Sequence, residues 1–157
     1  MRCNPSLCLL SISLFLCGAC NGPAVPDSPP GKNSWPLFGG TNQRNMANAV
    51  EKDLPDSWSV EENKEKNVKW TARLGTQAYG GPVIADGKIF VGTNNQEPRD
   101  PNVTGDKGVM MCFRESDGQF LWQIVHDKLP DPNENDWPQT GICSHTAVEG
   151  KRLYYVS

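Results

Sequence analysis

Beyond residue 20 the chain holds only two cysteines, Cys112 and Cys143, because Cys3, Cys8, Cys17 and Cys20 fall in or at the edge of the N-terminal leader. Two cysteines make no disulfide scaffold, and their spacing fits no zinc pattern. A single bridge, two buried thiols and pairing with another chain all remain open to them. Histidine is as scarce: His126 and His145 are the only two. Without supporting ligands they read as structural or solvent-facing side chains rather than metal ligands or members of a triad. Ser144, beside His145, lacks the Gly-x-Ser-x-Gly frame of a nucleophile elbow. Basic residues are scattered and outnumbered, 15 Lys and Arg against 18 Asp and Glu. With no stripe of positive charge to track a phosphate backbone, nucleic acid is excluded as a partner. There is also no apolar run long enough to span a bilayer; Leu7 to Leu16 is too short.

That short run has a different use. It follows Arg2 and precedes the small residues Gly18 and Ala19, the layout of a secretory signal peptide over residues 1–19. The bond after Ala19 leads into Cys20, and the segment LCGAC resembles the lipobox of bacterial lipoproteins, although Cys17 stands where leucine is usual. The expectation is a diacylglyceryl group on Cys20, with an ordinary signal peptide cut at the same bond as the alternative. Asn21 is not the aspartate that resembles an inner-membrane retention signal, so the protein is expected in the periplasm or at the outer membrane. Residues 20–34 offer almost nothing to bury and are rich in proline, which reads as a flexible tether.

Glycine and proline are abundant, 15 and 13 residues, a density that breaks long helices and multiplies turns. The fold class expected for residues 35–157 is therefore all-β. In NVKWTARLG, Val68, Trp70 and Ala72 alternate with Lys69, Thr71 and Arg73, which predicts a strand with one buried face. Gly80 to Thr93 holds two apolar runs joined by Asp86-Gly87, a pair suited to a tight hairpin. GVMMCFRESDGQFLWQIV predicts a second hairpin turning at Ser116-Asp117-Gly118, and CSHTAVEGKRLYYVS a third around Glu149-Gly150. Two acidic loops, Asp100 to Asp106 and Asp131 to Asp136, carry oxygen donors for calcium but lack the order of an EF-hand. They read as solvated loops.

The first and third hairpins align. Val83 to Lys88 matches Thr146 to Lys151 at an offset of 63, after which Arg152 is an inserted residue. Two hairpins per unit make four antiparallel strands, the pattern of a propeller blade. The segment Cys112 to Trp122 (CFRESDGQFLW) then resembles the blade motif of the PQQ-like, or quinoprotein-like, β-propeller repeat, with Gly118 and Trp122 at its most informative positions. Arg114 and Asp117 replace the motif's aspartate and threonine, departures expected to weaken the turn's hydrogen bonds. Trp70 corresponds to the final-strand tryptophan of an earlier repeat. Physically, the glycine permits the turn, and the tryptophan is a broad apolar plate whose N–H can bond a neighbouring backbone. The opening WPLFGGTNQRN also resembles the start of envelope proteins of this class.

The resemblance implies a partial propeller of four-stranded blades, an incomplete ring, since closed rings take about four to eight blades. It reads as the truncated N-terminal piece of a longer protein. Two functions follow. One is a noncatalytic scaffold or interaction module of the bacterial cell envelope, partnered by the membrane through its lipid and by another envelope protein. The other is a fragment of a PQQ-dependent alcohol or sugar dehydrogenase, which would hold PQQ and calcium. No residue here matches the adjacent cysteine pair, calcium ligands or basic aspartate that such enzymes carry, so no catalytic residue is assigned and the balance lies with the scaffold.

Overall fold

The computed structural model describes residues 34–129 and 137–157. The expected signal peptide, the expected lipid-attachment residue Cys20, most of the expected tether and the Asp131 to Asp136 loop lie outside the described residues. Among those described the chain is all-β, without a helix. Its strands are β1 (Val83–Ala85), β2 (Lys88–Asn94), β3 (Lys107–Arg114), β4 (Phe120–Asp127), β5 (Ala147–Glu149) and β6 (Arg152–Tyr154). The first four form one antiparallel sheet in the order β1-β2-β3-β4, and β5 pairs with β6 in a second sheet.

All three expected hairpins form. Between β1 and β2, Ala85 pairs with Lys88 around Asp86-Gly87, both at positive φ (51° and 67°), the sign pattern of a type I′ turn. Between β5 and β6, Glu149 pairs with Arg152, so the turn residues are Gly150 and Lys151. Only the first of these has positive φ, 56° at Gly150, as in a type II′ turn. The glycines therefore occupy different turn positions, and the repeat runs at an offset of 64, from Val83 to Ala147, rather than 63. At that spacing Arg152 is no insertion.

The turn between β3 and β4 spans Glu115 to Gln119, with a bulge at Cys112/Phe113 and Gly118 at φ 72°. Its substituted residues supply bonds of their own. Arg114 pairs with Asp117 at 2.9 Å, and the Gln119 N–H donates to the Asp117 carboxylate at 3.0 Å. The expected weakening of this turn is offset by those two contacts.

The Val68 to Arg73 run is not a strand. Its alternation is real, because Trp70, Ala72 and Leu74 pack against Val91, Val109, Met111 and Phe113 on one face of the large sheet. An extended segment lying on a sheet face has no neighbouring edge to ladder with, so it shows strand periodicity in burial without strand hydrogen bonds. The opposite face carries Ala85, Phe90, Met110 and Cys112, covered by Ile142, by Val148 and Leu153 of the second sheet's hairpin and by Tyr155 just after it. Covering on both faces explains why β3 reads as an unbroken apolar run, GVMMCF, instead of an alternation.

A strap joins the two sheets. Trp35 exchanges backbone hydrogen bonds with Ile84 of β1 at 2.7 and 3.0 Å, and the Val148 N–H of β5 donates to the Pro36 carbonyl at 2.7 Å. Leu37 bridges Ala147 in the same sense. The expected opening segment thus closes the outer edge of β1 while reaching across to β5.

Candidate functional site

The two framework residues Trp70 and Gly118 meet. The Trp70 indole N–H donates to the Glu115 carbonyl at 2.9 Å, and its ring fills the space beside Gly118 where a Cβ would come within 2.5 Å of it. One tryptophan therefore seats on the turn of the four-stranded sheet, held by a directed bond at its polar edge and by apolar contact elsewhere. Trp122, its counterpart on β4, lies on the opposite face beside Phe90, ring centroids 5.9 Å apart. Its indole N–H has no hydrogen-bond partner among the described residues.

Next to Trp70 the same face opens into an apolar groove of about 560 Å³ walled by Trp70, Tyr79, Pro82, Ile84, Ile89 and Phe113. Tyr79 stands 60% exposed at its rim. Beyond the Leu74 end of the run, Arg99 folds back over the sheet. Its guanidinium lies 4.5 Å from the Phe120 ring centroid and 5.6 Å from that of Phe113, and it donates to the Arg73 carbonyl.

A buried polar knot that the sequence did not announce closes one end of the sheet. Asn94 is fully buried; its side-chain oxygen accepts from the Thr76 N–H at 2.9 Å, and its amide donates to Thr76 Oγ1 at 2.9 Å and to the Gln139 carbonyl at 2.5 Å. Thr93 accepts from the Gly75 N–H and donates to the Gln77 carbonyl, while Asn95 donates to the carbonyls of Val103 and Gly105. Three consecutive residues at the end of β2 thereby fasten three separate loops. Their signal in the sequence is a run of small uncharged polar residues directly following the apolar IFVG.

The remaining chemistry-bearing residues are dispersed. The two cysteines among the described residues are unbridged: Cys112 is buried, with burial pushing its thiol up to about 11, and Cys143 is exposed. His126 shares a hydrogen bond with the Tyr155 hydroxyl at 2.7 Å, tying β4 to the segment after β6, and the His145 ring packs tilted against Phe38 with centroids 4.3 Å apart. Ser144 both donates to and accepts from the Val156 backbone, at 2.8 and 2.9 Å. In the first acidic loop, Asp100 caps Asn102, and Asp106 accepts from the Gln139 N–H at 2.7 Å. Among the described residues no group of three or more His, Cys, Asp or Glu side chains is placed to hold a metal ion. Nor is any helix there long and apolar enough to cross a membrane.

No family model, curated protein or solved structure matches this chain.

Proposed function

We propose that this chain is a noncatalytic PQQ-like β-propeller repeat protein of the bacterial cell envelope, acting as a scaffold or interaction module. In this reading it is exported and lipid-anchored through Cys20, with residues 1–19 as signal peptide. The observation that carries it is the seating of Trp70 on the Gly118 turn. A tryptophan from one repeat locking onto the glycine turn of the following unit is the inter-unit contact that a ring of stacked blades requires, and the recurrence of the β1–β2 hairpin as β5–β6 supports the same repeat. The exposed surfaces and the β4 edge then serve for docking, by strand addition or through the loops.

The test is fractionation and capture from native membranes. The wild-type chain should sediment with membranes and bring down a stable envelope partner, and Cys20→Ser should move it to the soluble fraction. Retention of the Cys20→Ser variant would reject anchoring through that residue, and capture of no partner would count against a scaffold. Quinone-stimulated dye reduction by the wild-type protein would replace this reading with the dehydrogenase.

A further inference from the structure

We propose that this chain associates with copies of itself head to tail: the outward face of the β5–β6 hairpin of one copy, centred on Tyr154, seats in the groove beside Trp70 of the next. The inference goes beyond the scaffold reading. It rests on the repeat of the hairpin and not on export, anchoring or an envelope partner.

The repeat supplies the argument. The β1–β2 and β5–β6 hairpins share one register: Ile84 pairs with Ile89 and Ala85 with Lys88, as Val148 pairs with Leu153 and Glu149 with Arg152, each residue 64 positions further on. Val148, Leu153 and Tyr155 seat the second hairpin against the face of the large sheet that carries Ala85 and Phe90. Their counterparts in the first hairpin are Ile84, Ile89 and Val91, and all three line the groove, whose walls among the described residues carry no charged side chain. The surface that is filled where the hairpin meets the large sheet is therefore present a second time, open, on that sheet's other face.

The surface it would receive is also present twice. Phe90, at the contact between the sheets, is 7% exposed, whereas its counterpart Tyr154 is 47% exposed. Tyr154 is suited to burial, because its hydroxyl donates to the Glu149 carboxylate at 3.3 Å and the ring can enter an apolar seat without stranding its polar tip.

Within one chain the two surfaces cannot meet. The groove opens on the face packed by Trp70, Ala72 and Leu74, and the β5–β6 hairpin sits on the opposite face, so the large sheet stands between them. A second copy brings them together. The contact joins unlike patches, so it does not stop at a pair but continues copy by copy, until its rotation closes a ring or runs on as a filament.

The test uses the full chain with Cys20→Ser, which keeps lipid out of the measurement, in sedimentation velocity at rising concentration. This parent protein should assemble past a dimer. Tyr154→Glu and Ile89→Glu put a charge on opposite sides of the contact, and each variant alone should lose assembly and sediment as a monomer. Mixed, they should form a one-to-one dimer and nothing larger, because the Tyr154→Glu copy keeps its groove and the Ile89→Glu copy keeps its hairpin face. Ile89 is half-buried, so near-UV circular dichroism checks that its variant is folded; Pro82→Glu, at an exposed wall of the groove, takes its place if it is not. A parent chain that stays monomeric, a single variant that still assembles, or folded variants that do not dimerise when mixed would overturn the proposal. Assembly by a chain that captures no envelope partner would uphold this inference while counting against the scaffold reading.

Discussion

Trp70 and Gly118 are 48 positions apart in the sequence and share one volume: the indole occupies the place where any side chain at 118 would stand. Two costs therefore combine when Gly118 gains a methyl group. The left-handed backbone at φ 72° costs an L-residue roughly 1–2 kcal/mol, and displacing the ring adds a further ~1–3 kcal/mol. Gly87 provides the comparison, since it has similar φ, 67°, but nothing within 4 Å of an added Cβ. In urea unfolding, Gly118→Ala should lose clearly more stability than Gly87→Ala. Equal losses would show that the tryptophan contact contributes nothing.

Asn94 should be among the most sensitive polar positions. Asn94→Ala leaves the Thr76 N–H and the Gln139 carbonyl without their partner at a partly buried site and opens a small cavity at a fully buried one, a loss of about 1–3 kcal/mol. Hydrogen exchange would locate the damage: amides of residues 75–77 and 139–142 should exchange faster, while those of β3 keep their relative protection.

The two thiols should behave oppositely. Cys143 is exposed and should be alkylated in the native protein, whereas Cys112 should react only as the chain unfolds. The Cys112 thiol is pushed from 9.0 to about 11 by burial, Lys88 opposing the shift. Because the folded state holds that proton more tightly, its contribution is whole below about pH 9 and is lost as pH rises toward 11. Burial raises the Tyr155 phenol as well and acts in the same direction. Cys112→Ala carries no titrating thiol and should flatten part of the alkaline decline in stability; an unchanged slope would remove Cys112 as its source.

Acid should act through two exposed carboxylates. The Gln119 N–H, with help from Arg114, holds the Asp117 carboxyl below its usual range, and the Lys107 ammonium does the same for Asp127. Their stabilisation is present above the ordinary carboxylate pKa and is lost as pH falls through the lower folded values. Asp117→Asn and Asp127→Asn should each reduce the change in stability measured from pH 5 down to pH 2, and 1 M salt should shrink the Asp127 effect.

The hairpins could be read from the residues because turn chemistry is local: Asp86-Gly87, Asp117-Gly118 and Glu149-Gly150 mark each reversal between apolar runs. What one glycine does not reveal is which turn position it fills, and that ambiguity produced the one-residue error in the repeat. The alternation through Trp70 reported which side chains are buried but not whether a neighbouring backbone was available to pair. The Thr93-Asn94-Asn95 knot was illegible for a related reason. Polar residues at the end of a strand read as the start of a solvated loop, and their burial arises only when the loops at 75–77, 103–105 and 139 fold over them. Trp70 and Gly118 could be singled out from the sequence, but their contact depends on a tertiary arrangement that spacing alone does not contain.

The strap from Trp35 to Leu37 also gives the molecule a mechanical polarity. Among the described contacts, a pull toward the N-terminus meets the Trp35–Ile84 pair first and Pro36 and Leu37 at β5 after it, so the load reaches the sheets one after the other. Tension would lift the chain off β1 before it could part the two sheets, leaving the Trp70 seat and the Asn94 knot unstressed. Of the described contacts, the strap is thus the one that would part first, in the manner of a zip opened from one end.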